Sequence, residues 1–337
     1  MTRTADQRLA LRLGTEQWRL RVPFRITGQT MFDLDVLVVH VECDGLSGRG
    51  EAAGVDYRGE DLASMVASLE AARAPIEAGI TRAALQRLLP AGGARNALDC
   101  ALWELDARRA RRPVWQLAGL AEPKPLLSTY TVGADSAAAM AERAVEFAAA
   151  RAIKLKLIGD ADDAERVRAV RTARPEVWLA VDANQGFSRE QLRSLLPVLQ
   201  ECAVALIEQP FPVGQEPTLQ ELRSPIPIAA DESAQSSEDL PRLVGRFNAA
   251  NIKLDKCGGL TEGLRMASAA RALGLEVMIG NMVGTSLAMA PAYLVGQSCQ
   301  VVDLDGPLLL ASDRPASVRY EDGYLHCDER VWGYAAY

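Results

Sequence analysis

Six charged residues stand at the ends of five successive apolar runs between residues 152 and 254 of this chain, and together they could move protons around a bound cation. Lys154 and Lys156 lie in "AIKLKLIG", Asp182 closes "VWLAVD", Glu208 closes "VALIE", Asp231 follows "IPIAA" and Lys253 lies in "AANIKLDK". A lone K-x-K belongs most often to an exposed strand, and a lone acidic residue at a strand end often caps the next helix. Five consecutive runs that end in charge describe a shared cavity instead. Three carboxylates supply hard oxygen donors of the kind that hold Mg²⁺. A substrate carboxylate on such an ion becomes more acidic at its α-carbon. Lysine amines, with pKa values brought down by burial or a neighbouring cation, could then serve as bases. Two amines on opposite sides of a planar enediolate would take a proton from one face and return one to the other, which inverts the carbon.

Other chemistry is poorly supplied. The chain has two histidines, His40 in "LVVHVE" and His326 in "YLHCD", neither beside a Ser or Cys in a nucleophile setting. Acid–base work therefore falls to Lys, Asp or Glu. Six cysteines form no C-x-x-C pair and sit in apolar contexts, as reduced core thiols do. A net charge of -7 argues against a nucleic-acid partner, and the arginines of "DARRARR" (106–112) fit the solvated end of a helix. No run is long enough to span a membrane, and the N-terminal stretch 1–14 lacks an apolar signal-peptide core. A cytoplasmic protein with a small-molecule substrate is expected, and a homo-oligomer.

The elements that must position these residues follow from the spacing. Asp182, Glu208, Asp231 and Lys253 are separated by 22 to 26 residues, about one strand–helix unit each. Eight candidate strands, "LLSTYTV", "AIKLKLI", "VWLAVDA", "VALIEQP", "IPIAADE", "ANIKLDK", "EVMIGNM" and "QVVDLDG", alternate with amphipathic helices such as "DDAERVRAVRTARP". That predicts an α/β fold with a closed parallel (β/α) barrel, whose functional residues gather at the C-terminal strand ends. Lysines on strand 2 and Lys253 on strand 6 would face each other across the mouth, with the carboxylates of strands 3 to 5 between. Lys154 and Lys156 share a face. Lys256 competes with Lys253, but leads into Cys257-Gly258-Gly259 and is expected in a loop. The first part of the chain reads as α+β: strands over 16–26 and 33–43, a turn at Asp44-Gly45, then helices within 60–79 and 94–110. A final hairpin turning at Asp322-Gly323 is expected to return to this capping domain. The expected division is 1–122 for the cap, 123–310 for the barrel and 311–337 for the return.

These motifs closely resemble the enolase superfamily, in its muconate-lactonizing subgroup. The matching features are Lys154-x-Lys156, "VDANQGF" with Asp182 and Asn184, "IEQP" with Glu208, "ADES" with Asp231 and Glu232, and "NIKLDKCGG" with Lys253. The resemblance implies a modified barrel of (β/α)7β type with an α+β cap completed by the C-terminal segment. It implies that Asp182, Glu208 and Asp231 bind Mg²⁺, that Lys156 and Lys253 are the two bases, and that Lys154 helps bind the carboxylate and depresses the pKa of Lys156. Asn184 and Glu232 would support this set. Stretches 282–292 and 303–310 look like those of dipeptide epimerases of the L-Ala-D/L-Glu type, where aspartates matching Asp303 and Asp305 bind the substrate's free α-ammonium. The capping loops offer Arg25, ahead of Gln29 and Met31, and Tyr57 with Arg58 as specificity contacts. The leading expectation is a Mg²⁺-dependent dipeptide epimerase. Alternatives are an N-acylamino acid racemase, a lyase or cycloisomerase of the o-succinylbenzoate synthase or muconate cycloisomerase kind, and a non-catalytic metal-binding protein.

Overall fold

The computed structural model describes residues 8–335, so the first seven residues of the N-terminal stretch lie outside it. Two long strands, Ala10–Ile26 and Gln29–Cys43, pair antiparallel from Ala10↔Glu42 to Ile26↔Gln29, with a register irregularity between Arg19 and Phe24. Asp44 and Gly45 both take positive φ (54° and 73°), the pairing a tight hairpin turn demands. They lead into a third strand, Leu46–Ala52. The helix Gly93–Ala110 lies directly on that strand, which is why glycines occupy it: a Cβ on Gly50 would come within 2.0 Å of the Ala97 carbonyl oxygen. Leu37, Val39, Leu98 and Leu102 pack between sheet and helix as the core of the cap. Gly50→Ala is accordingly expected to cost about 4 kcal/mol or more, the range reserved for backbone clashes in a core. A thermal melt would show it, and an unchanged midpoint would contradict this close packing.

Eight parallel strands follow. They are, in order, Thr129–Val132, Ala152–Lys156, Trp178–Asp182, Val204–Glu208, Ile228–Ala230, Ala249–Ile252, Glu276–Ile279 and Val301–Val302, each laddered to the next. Among the described residues no ladder joins strands 8 and 1, and polar side chains close that seam. Leu304 N donates to Ser128 Oγ (3.0 Å), Thr131 N to Asp305 Oδ2 (2.6 Å) and Thr129 Oγ1 to Asp303 Oδ1. Small and medium apolar residues, Ala180, Leu206, Ala229, Ala249 and Met278, fill the barrel interior as a core of their own. Because side chains alternate, the residues two further along, Asp182, Glu208, Asp231 and Asn251, point the same way and form the next layer up. Helices cover the outside, for example Arg189–Glu201, started by a Ser188/Gln191 capping box and burying Leu192 and Leu199 against the sheet.

The structure departs from the sequence-based expectation at both ends of the barrel. The run "LLSTYTV" is divided: Leu126–Leu127 pairs with the C-terminal hairpin, and only Thr129–Val132 enters the barrel. Ser128 makes the break, with its N–H bonded to the Gly323 carbonyl and its hydroxyl to Leu304. "QVVDLDG" yields only Val301–Val302, since the two aspartates serve the seam with side chains. The hairpin Arg319–Glu321 and Tyr324–His326 turns at Asp322-Gly323 and lies on Leu126–Leu127, outside the capping sheet. The segments flanking it do reach the cap: Ala311 N donates to Arg19 O (2.9 Å) and Trp332 Nε1 to Arg49 O (3.0 Å). No described helix is long and apolar enough to cross a membrane.

Candidate active site

Strands 3, 4 and 5 bring Asp182, Glu208 and Asp231 together at the barrel mouth, with one carboxylate oxygen from each lying within 4.8 Å of the others. All three are buried. Three anions confined in this way are uncomfortable alone: burial and the neighbouring Asp182 push Glu208 up to about 7. A hard divalent cation fits such an all-oxygen donor set and would relieve the crowding. Glu232, next along from Asp231, is pushed up to about 8 by burial and by Asp231 and Asp182, and its Oε2 has no hydrogen-bond partner among the described residues.

Lysines flank the triad on both sides in the order of the strands. Lys156 on strand 2 donates to Asp182 Oδ2 (2.6 Å) and to Asn184 Oδ1 (3.1 Å). Lys253, just past strand 6, donates to Asp231 Oδ2 (2.8 Å). Lys154 reaches Glu208 Oε2 (3.3 Å), lies 3.9 Å from Asp182 and also pairs with Asp303. Burial alone would lower Lys154 and Lys253, as the sequence led one to expect of a base, but the surrounding carboxylates outweigh it and hold both above the ordinary lysine value; a cation on Asp231 and Glu208 would offset the charge that holds Lys253 up. Asp231 sits well below the usual carboxylate range because Lys253 and Lys256 overcome its burial.

Lys256 differs from its expected place in a loop. It lies in the short helix Leu254–Cys257, wholly buried, and donates to Asp231 Oδ1 (2.6 Å), Asp231 O (2.6 Å) and Asn251 O (2.9 Å). The double glycine after it marks the helix end, not the fate of the side chain. Asn251 was not anticipated either. Its Nδ2 donates to Glu208 Oε1 (2.6 Å), and the signal was present, since Asn251 stands two residues before Lys253 on the same strand face.

A cavity of about 960 Å³ lies between cap and barrel, lined by Lys156, Asp231, Glu232 and Lys253 below and by Gln29, Met31 and Tyr57 from the cap. Arg25 is exposed and is not among the lining residues: strand alternation turns its neighbours Phe24 and Ile26 to the cavity and Arg25 away. Tyr57 accepts a hydrogen bond from Gln235 Nε2 (3.0 Å), and Arg58 donates to Gln235 Oε1 (3.3 Å). The base of that capping loop is pinned by Asp255, which accepts from Ala53 N (2.9 Å) and Gly54 N (3.0 Å). Asp303 and Asp305 are buried at the seam, Asp303 paired with Lys154, and neither is among the residues that line the cavity. Non-glycine residues with positive φ cluster at the mouth, namely Asn184 (42°), Gln185 (67°), Gln209 (31°) and Val283 (48°). Strain of this kind gathers where surrounding contacts fix a functional geometry.

Comparison with known proteins agrees with this architecture. Residues 9–119 match the mandelate racemase / muconate lactonizing enzyme N-terminal domain family, and residues 136–331 the enolase C-terminal domain-like family. The L-Ala-D/L-Glu epimerase of Escherichia coli K12 is 40% identical over 313 residues, covering 92% of this chain and 97% of that protein. An N-acetyl-D-glutamate racemase from a Pseudoalteromonas species is 42% identical over 246 residues, 73% of this chain and 78% of its own length. Among solved structures, an enolase family member from Agrobacterium tumefaciens with homology to dipeptide epimerases, holding sodium and L-Ala-L-Glu, superposes with a TM-score of 0.93 at 40% identity, over 96% of this chain and 100% of that one. A dipeptide epimerase from Methylococcus capsulatus, complexed with Mg and L-Arg-D-Lys, gives 0.87 at 32% identity, over 95% and 97%. Fold, charged mouth and family matches over both parts of the chain agree: this protein belongs to the mandelate racemase / muconate lactonizing enzyme family of the enolase superfamily.

Proposed function

We propose that the protein is a Mg²⁺-dependent epimerase that inverts the α-carbon of a dipeptide by proton transfer between two lysines. The observation that carries this reading is the order Lys156, Asp182, Glu208, Asp231, Lys253 at the C-terminal ends of five adjacent strands, with each outer lysine bonded to a different end of the carboxylate triad. Asp182, Glu208 and Asp231 would hold the cation, which when bound supplies positive charge at the substrate carboxylate and acidifies the α-hydrogen. The neutral amine of one lysine accepts that hydrogen as a proton while its bonding pair delocalises into the carboxylate. The ammonium of the other lysine then gives a proton to the opposite face. Lys154, buried among three carboxylates, adds fixed positive charge beside the substrate carboxylate. Asn184 orients Lys156 and also donates to Glu232 (3.4 Å). Mg-bound and dipeptide-bound relatives support the choice of ion and substrate class.

Asp303 and Asp305, at the end of strand 8, are the proposed partners of a free α-ammonium. Asp305→Asn keeps an acceptor for the Thr131 amide but removes the charge. It is expected to raise KM for dipeptides by about tenfold to a hundredfold, the worth of a charge-assisted hydrogen bond, and to leave N-acyl amino acids unaffected. Equal losses on both substrate kinds would contradict the assignment. The function itself is tested by incubating the protein with Mg²⁺ and a dipeptide library in D₂O and reading α-deuterium by mass spectrometry. Exchange confined to N-acyl amino acids would favour the racemase reading, which the 42% identical relative supports. Exchange on neither class would overturn both.

A further inference from the structure

Arg314 lies in the C-terminal segment and lines no part of the cavity, yet it joins three elements that do border it. Its guanidinium spans two cap carboxylates, with Nη2 donating to Glu16 Oε2 (2.7 Å) and to Glu51 Oε2 (2.7 Å). Its Nε donates to Thr285 Oγ1 (2.6 Å) and to Glu51 (3.2 Å), and the group lies over the Trp18 ring at 5.3 Å. Glu51 is wholly buried and takes two bonds from Thr285, one from N–H (2.8 Å) and one from the hydroxyl. Each of these partners is a short step from the cavity. Glu16 follows Thr15, Glu51 precedes Ala53 by two residues, and Thr285 ends the loop after strand 7 whose residues Asn281, Met282 and Val283 form part of the wall.

That loop does not hold its shape by local preference. Val283 is β-branched and sits at φ 48°, a left-handed conformation in which its side chain crowds its own backbone. The neighbouring contacts leave little slack: a Cβ on Gly306 would meet Gly284 N at 2.8 Å, and one on Gly284 would meet Ala288 Cβ at 2.8 Å. A strained wall residue persists only where its surroundings over-determine it. Two residues to either side of it, bonds cross to other elements: Asn281 Nδ2 donates to the Asp303 carbonyl (2.7 Å), and Thr285 bonds with Glu51 and Arg314.

We infer that Arg314 is a positioning residue which, through Glu51 and Thr285, locks the strand-7 loop in its strained form and seats the cap against it, so that the C-terminal segment sets the shape of the substrate cavity. The substrate arm of the test rests on the proposed dipeptide activity. The hydrogen-exchange arm does not, so the two can fail separately.

The test is Arg314→Met in the full-length protein with Mg²⁺ and L-Ala-L-Glu as the probe substrate. The expected result is a KM raised about tenfold or more with kcat changed less than about threefold. Amide exchange over 282–285 should be accelerated by a similar factor, because the Thr285 N–H loses its held partner. Adding Val283→Gly to that variant removes the cost of the left-handed turn, and should bring KM back at least half-way on a logarithmic scale. If Arg314→Met does not fold, Thr285→Val removes the hydroxyl's two clamp bonds, to Glu51 and from Arg314, with its cap on Leu287 N, while leaving Arg314 on Glu16 and Glu51, and should shift KM and exchange in the same direction. A clamp variant that melts lower but keeps parental KM and parental exchange over 282–285 would overturn the inference. So would a double variant no better than Arg314→Met alone.

Discussion

Glu208→Gln, or removal of divalent cations with EDTA, is expected to lower turnover by on the order of 10³-fold, the rate equivalent of the several kcal/mol a cation supplies. Glu208 occupies the middle strand of the triad, buried between Asp182 and Asp231. Glutamine there keeps the volume and the hydrogen bond from Asn251 but withdraws the charge a cation needs. The same substitution separates cation binding from folding. Burial and Asp182 raise the cost of a charged Glu208, so neutralising it relieves repulsion when no cation is present. Without Mg²⁺ the variant should therefore melt at or above the parent. With Mg²⁺ the parent alone should gain stability, as any ligand that binds only the folded state confers. Equal stabilisation of both proteins, or turnover that survives chelation, would contradict the cation site.

Alanine at Lys156 or at Lys253 should lower epimerisation by about 10²- to 10⁴-fold, the worth of a positioned acid or base. The fold should survive either change, because each carboxylate keeps another partner. Asp182 still accepts from Asn184 N (2.8 Å) and faces Lys154, and Asp231 still accepts from Lys256 (2.6 Å). Circular dichroism and a thermal melt establish that point alongside the kinetics. A variant that loses activity only through unfolding would say nothing for the two-base scheme.

The parts of this protein that were legible in its sequence are those written in short-range periodicity. Apolar runs of strand length ending in charge, one strand–helix unit apart, located the barrel and the five strands that carry the triad and its lysines, because alternation along a strand fixes which side chains share a face. Turn chemistry at Asp44-Gly45 and Asp322-Gly323 was equally local. What escaped depends on contacts between distant parts of the chain. Lys256 looked like a loop residue from its glycine neighbours, whereas its place is decided by the carbonyl oxygens of Asp231 and Asn251. The seam bonds of Asp303 and Asp305, to residues 174 positions away, were likewise invisible in the run "QVVDLDG". Arg25 was chosen for its charge, but alternation in a strand that pairs through Ile26↔Gln29 turns it outward. The Arg314–Glu51 pair spans 263 positions and leaves no mark on any window of sequence.

The most direct measurement follows α-deuterium entry by NMR when each epimer of a reactive dipeptide is offered in D₂O, with Mg²⁺, to Lys156→Ala and to Lys253→Ala. Lysines on opposite flanks of the cation predict a mirrored outcome: each variant exchanges one epimer only, without inverting it, and the two variants choose opposite epimers. Both variants exchanging the same epimer, or either one still interconverting the two at the parental rate, would contradict it.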